Sequence, residues 1–83
     1  MKLNLFCGTD HLHGYINIDI IDAFQPDLLH DLRKPLPFKL ESIEEIRIVD
    51  GLEHLNYIDA ERMMTHWISL LRSHGKILIR VPN

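Results

Sequence analysis

A chain of 83 residues forms one small domain at most and buries a modest share of its surface. Its composition, 46% hydrophobic and 25% charged, argues against disorder, and its net charge of −3 gives no basic footprint for nucleic acid or acidic membranes. Lone Cys7 excludes an internal disulfide and fits a reducing compartment; with no apolar run near the roughly 18 residues that span a bilayer, and no signal-like start, a soluble cytoplasmic protein is expected.

In chain order, Lys2 to Phe6 reads as a first strand, followed by a turn containing Gly8. Tyr15 to Ile20 reads as a second strand, with β-branched Ile16, Ile18 and Ile20. Strand, glycine turn, strand and an acid, Asp19, is a way to hold an adenosine-containing cofactor at the carboxyl edge of a parallel sheet. The turn amides face the ligand, and the carboxylate accepts from the ribose hydroxyls. Asp22 to Pro26 suits a turn, and Asp27 to Leu32 a short third strand ended by Lys34-Pro-Leu-Pro37. Ser42 to Glu45 suits a helical turn, Ile46 to Val49 a fourth strand, and Asp50-Gly51 a break.

The clearest element is a helix from Ala60 to Ser73. Ala60, Met63, Met64, Trp67, Ile68 and Leu71 fall on one apolar stripe, which leaves His66 and Arg72 to solvent. Asp59 is the expected N-cap and Gly75 the expected left-handed residue past the end. Lys76 to Val81 is a nearly continuous apolar run, as in a strand covered on both faces. Strands alternating with crossovers predict an α/β, Rossmann-like, mostly parallel sheet of five short strands with one main helix. Only Cys7 to Gly14 separate the first two strands, fewer residues than a parallel crossover usually takes. A parallel pair linked by a loop in place of the first helix is expected, with an antiparallel pair as the alternative.

Five segments in this order, Leu3-Asn-Leu-Phe-Cys-Gly8, Gly14-Tyr-Ile-Asn-Ile-Asp19, His30-Asp-Leu-Arg-Lys-Pro-Leu-Pro-Phe38, Ile46-Arg-Ile-Val-Asp-Gly-Leu-Glu-His-Leu55 and Leu70 to Asn83, resemble the class I S-adenosylmethionine-dependent methyltransferases. The resemblance covers essentially the whole chain and implies a single partial domain, the cofactor-binding portion of that fold. It implies that Leu5, Phe6, Cys7 and Gly8 form the loop beside the methionine and ribose parts of the cofactor. Asp19, followed by Ile20, would bind the ribose; Asp31 with the backbone of Leu32 would read the adenine edge. Val49 and Asp50 would line the transfer site. The cofactor implied is S-adenosylmethionine, the acceptor is unknown, and no metal is required. Phe6 stands where the family prefers glycine, so its side chain either turns away or intrudes. The family's sheet also has two strands beyond the fifth, so an exposed apolar edge, with self-association through it, is expected here.

Plainer readings stand beside these. Asp19 also suits a solvated loop residue or cap, and Asp31 a surface turn. Cys7 has His11 and His13 near it but no further signature of a nucleophile. Six scattered histidines, with no Cys-x-x-Cys or His-Glu-x-x-His frame, read as surface groups. His54, after the fourth strand, is the histidine best placed for a general base, although many methyl transfers need mainly alignment. The alternative to an enzyme is a non-enzymatic remnant of such a domain, which binds or oligomerises without turnover. A dinucleotide oxidoreductase is disfavoured, because Gly-x-Gly-x-x-Gly leading into a helix is absent.

Overall fold

A computed structural model describes residues 1–82. Five strands form one sheet in the order β3-β2-β1-β4-β5, and every neighbouring pair is parallel. They are β1 (Lys2–Leu5), β2 (Ile16–Asp19), β3 (Leu28–Leu29), β4 (Ile43–Val49) and β5 (Leu71–Arg80). One helix, α1 (Tyr57–Leu70), joins β4 to β5. The expected α/β sheet is therefore present, and its order reverses at the β1/β4 boundary. No helix among the described residues is long and apolar enough to cross a membrane.

The register separates two faces. Leu3, Leu5, Ile16, Ile18, Ile46, Ile48 and Ile77 share one, where they pack with Met63, Trp67 and Leu70 of α1 and with Leu32 and Leu36. The indole N–H of Trp67 is buried there with no hydrogen-bond partner among the described residues. Lys2, Asn4, Asn17, Glu45, Arg47 and Leu78 share the other face. Parallel sheets are usually apolar on both faces; this one alternates, as a sheet with one wet face does. The expectation that the last strand is covered on both faces is thus overturned. β5 lies at the sheet edge, with Leu78 47% and Ile79 42% exposed.

The short link between β1 and β2 works because side chains do the job of the first helix. Asn17 Oδ1 accepts from Asn4 Nδ2 at 2.9 Å and from the Leu12 amide at 2.9 Å. Asn17 Nδ2 donates to the Leu12 carbonyl at 3.2 Å and to Asp27 Oδ2 at 2.9 Å. Asn4 Nδ2 also holds the Asp10 carbonyl at 2.8 Å. Two buried asparagines thereby fold the loop back over the polar face, satisfying backbone groups that a helix would have paired internally.

Several boundaries differ from the sequence reading. α1 starts earlier, because Asn56 rather than Asp59 is the N-cap: Asn56 Oδ1 accepts from the Asp59 amide at 2.8 Å. Asp59 instead places an acid in the first turn, favourable to the helix dipole. The helix ends at Leu70, not Ser73, because the Ser69 and Leu70 carbonyls are taken by the amides of Glu41 and Ser42. Ser42 to Glu45 is consequently not a helical turn; β4 begins at Ile43, paired with Leu71. A register shift follows, with His74 at φ 65° as its left-handed residue. Gly75 is required for space and not for φ, since a Cβ would sit 2.9 Å from the Arg72 carbonyl oxygen. Ile68, assigned to the apolar stripe, is 53% exposed.

His66, expected in solvent, is half-buried, and its Nε2 accepts the Leu36 amide at 2.9 Å. Burial, followed by the nearby His30, lowers its pKa from the ordinary value. The bond requires a neutral ring at Nε2. As pH falls through about 6.5, the unfolded chain takes up a proton that the folded chain resists, so stability is lost in that window. Denaturant midpoints measured between pH 7 and pH 5 should fall in the wild type and flatten in His66→Gln. Identical slopes would remove His66 as the cause.

Candidate functional site

The carboxyl ends of β1, β2, β3 and β4 open into one cavity of about 630 Å³. It lies at the boundary where strand order reverses, the position at which open α/β sheets hold ligands. Every residue expected at a cofactor site lines it except Leu5, whose side chain is buried in the core on the α1 side of the sheet. Leu5 is thus a packing residue that sets the end of β1, and alternation along the strand decides that.

Phe6 breaks the strand with φ 56°. Its ring stands edge-on to Trp67 with centroids 6.3 Å apart, lies 6.3 Å from His54, and still lines the cavity. Gly51 makes room for it, since a Cβ there would fall 2.4 Å from the Phe6 Cβ and Cγ. The ring therefore turns partly into the core, over a glycine, while one side forms cavity wall. Asp50, at φ 56° across the crevice, is the second non-glycine residue in a left-handed conformation there. Strain of that kind, about 1–3 kcal/mol per residue, persists where surrounding contacts over-determine it. Asp50 is held by its amide to the Arg80 carbonyl at 2.8 Å and by the Arg80 guanidinium at 3.2 Å.

Asp19 is only 7% exposed. Its Oδ2 accepts from the Gly8 amide at 2.9 Å and its Oδ1 from the Ile21 amide at 3.1 Å. The carboxylate thus ties the β1 turn to the residues after β2. Gly8 adopts φ 52°, with open space where a side chain would be, so conformation and not crowding calls for glycine. β3 ends at Leu29, three residues earlier than expected, and beyond it the Asp31 carboxylate accepts from the Arg33 amide at 2.9 Å and from the Arg33 guanidinium at 2.9 and 3.1 Å. The Arg33 side chain and then its amide hold the Asp31 carboxyl down at about 2. Asp31 is therefore an ionised wall group whose nearest cation comes from its own turn.

Cys7 is buried, and that burial, with Asp19 and Asp27 adding to it, pushes the thiol up to about 11. A neutral thiol in an acidic setting is no nucleophile. His54 lines the cavity on its β4 side, near Phe6.

Ile21, Phe24 and Arg33 also line the cavity, although the sequence reading did not place them there. Ile21 precedes and Phe24 closes a short 3-10 turn, Asp22–Phe24, that follows β2. Two apolar residues following the acidic strand end were the available signal. Thr9 and Asp10 complete the β1 side. The assembled site has apolar walls at Ile20, Ile21, Phe24 and Leu32 and carboxylates at Asp10, Asp19, Asp31 and Asp50. Pockets of about 300–1,000 Å³ with apolar linings and few polar groups are typical of small-molecule sites. Comparison with protein-family models, with curated proteins and with solved structures found no match to this chain.

Proposed function

We propose that this cavity binds S-adenosylmethionine and that the chain orients a methyl acceptor toward it, as an S-adenosylmethionine-dependent methyltransferase. The carrying observation is the convergence, on one cavity at the strand-order reversal, of the Phe6–Gly8 turn with Asp19, Asp31 and Val49, four places well separated in sequence. The residues present fit such a ligand. Each Asp19 oxygen accepts one backbone bond, and an ionised carboxylate has about four acceptor positions, so capacity for two hydroxyls is left. The apolar lining residues Ile20, Ile21, Phe24 and Leu32 suit a flat aromatic base. When bound, the sulfonium group supplies an activated methyl for attack by a nucleophile. The chain's part is to bind, exclude water along that apolar wall and hold the reactants in line, which needs no protein base.

A second reading, binding without turnover, is favoured by Phe6, whose ring occupies wall space that a glycine would leave open. Both readings require cofactor binding and part only at turnover.

The test is calorimetric titration with S-adenosylhomocysteine. The wild type should bind in the micromolar range. Ile20→Glu should weaken binding by about tenfold or more with an unchanged melting midpoint, because Ile20 is 53% exposed and carries wall surface but little of the core. Asp19→Ala is a poorer probe, since it also releases the Gly8 and Ile21 amides. A folded wild type that takes up no ligand would end both readings. Binding without methyl release to a panel of acceptors would select the second.

A further inference from the structure

A smaller cavity of about 220 Å³ adjoins the first on the polar face of the sheet, and Phe6, Cys7, Asp10 and Val49 line both. Its other walls carry Arg47 and Arg80, with His11 and Asn4; of its lining residues only Asp10 is acidic. Arg47 lies mid-strand in β4, in register with Asn4 of β1 and Leu78 of β5. It is half-buried, and among the described residues its guanidinium makes no hydrogen bond or ion pair.

No neighbouring side chain bonds the Arg47 guanidinium among the described residues. Glu45, next along the same face, takes the Tyr15 hydroxyl, and Tyr15 in turn lies under the Lys2 ammonium, 5.5 Å from its ring centroid. Asn4 donates from its Nδ2 to Asn17 and to the Asp10 carbonyl, which orients its amide without a bond to Arg47. A guanidinium drawn partly out of water with five N–H groups to satisfy is costly unless an acceptor completes it. Arg80 has such an acceptor in Asp50, but both partners are exposed, at 66% and 50% of the side chain, so the pair is weak and easily exchanged. Two guanidiniums at one small cavity, one unserved and one loosely served, match the planar, bidentate geometry of a carboxylate or phosphate. The volume lies below the usual range for whole drug-sized ligands, so it fits one end of a molecule that continues into the larger cavity.

We infer that Arg47 and Arg80 form an oxyanion subsite that anchors the carboxylate or phosphate end of a small methyl acceptor, with the acceptor's reacting end at the shared wall of Phe6 and Val49. The acceptor role rests on the cofactor reading given above. The anion site itself does not.

The experiment titrates isotope-labelled chain with inorganic phosphate and, separately, with succinate, at constant ionic strength, each with and without saturating S-adenosylhomocysteine. Saturable resonance shifts are expected at the Arg47 side chain and at Asn4, Leu12 and Arg80, with the stronger arm naming the anion. Arg47→Met, which keeps an unbranched stem on the strand, should weaken anion binding by about tenfold or more while binding of S-adenosylhomocysteine stays within about twofold. Arg80→Gln, at an exposed strand end, should give a smaller loss in the same direction and guards against misfolding of the Arg47 variant. Shifts spread over Arg33 and Lys34, or binding indifferent to both variants, would overturn the subsite while the cofactor reading stood. Anion binding in a chain that does not take up S-adenosylhomocysteine would overturn the acceptor role, and the fault would lie with the cofactor reading.

Discussion

Asn17→Ala is expected to lower stability by about 3 kcal/mol, a large share of what a domain this small commands. One side chain bonds Asn4, Leu12 and Asp27 together, and its loss orphans the Leu12 amide under the loop. The loop over the polar face should then fray, taking Cys7, Gly8 and Asp10 out of position and abolishing ligand uptake as well. Asn17→Asp should be worse, because it sets a second carboxylate where Asn17 Nδ2 now donates to Asp27 at 2.9 Å. The Asp27 carboxyl supplies an independent readout. The Asn17 amide, first, and its side chain hold it below the usual carboxylate range, and the alanine variant should let it rise. A lowered acid stabilises the fold above its unfolded pKa and loses that contribution as pH falls through the folded value. Asn17→Ala should therefore show a shallower loss of stability in acid than wild type. Denaturant unfolding decides the matter: a variant within about 0.5 kcal/mol of wild type would mean that the asparagine pair does not hold the crossover.

Gly51→Ala is the second large effect, expected at about 2–3 kcal/mol of destabilisation. The added methyl would meet the Phe6 Cβ and Cγ at 2.4 Å, and neither atom is the movable end of a long side chain. Phe6 cannot retreat easily, because Trp67 stands edge-on behind it and its backbone is already at φ 56°. The pair calls for a double-mutant cycle. Phe6→Gly removes the clash and the left-handed strain but loses the contact with Trp67, so it should be modestly destabilising alone. In its background Gly51→Ala should be nearly neutral, giving a coupling of about 2 kcal/mol between the two positions. Additive effects would show that Gly51 is required for a reason other than Phe6. Phe6→Gly also widens the cavity wall, and tighter uptake of S-adenosylhomocysteine by that variant would identify the ring as the group that restricts the site.

Much of this was legible in the residue order. Alternating apolar residues at Leu3 and Leu5, Ile16 and Ile18, and Ile46 and Ile48 mark strands with one buried face, and the stripe of Met63 and Trp67 marks the helix that covers it. The glycine turn and Asp19 lie where an α/β sheet gathers ligand groups, and they do line the cavity. Elements with a strong local period, or with a turn residue at the expected place, declare themselves because short-range sterics and burial agree.

What local pattern could not carry was decided by partners distant in the chain. The crossover between β1 and β2 looked too short until Asn4 and Asn17 came together in register and replaced helical hydrogen bonds with side-chain ones. The apolar run of β5 suggested burial on both faces, yet position at the sheet edge leaves Leu78 and Ile79 about half exposed. α1 stops at Leu70 because the segment before β4 claims its last carbonyls, a competition invisible in the helix's own sequence. His66 became a half-buried acceptor only when Leu36, thirty positions away, needed one. By itself, then, the sequence determined the strands, the helix and the acidic strand end, because periodicity and turn chemistry are short-range. The register, the crossover, the space made for Phe6 at Gly51 and the placing of Arg47 and Arg80 at one cavity were settled only by tertiary structure. Each of these depends on which backbone and side-chain groups, remote in sequence, are left to satisfy one another.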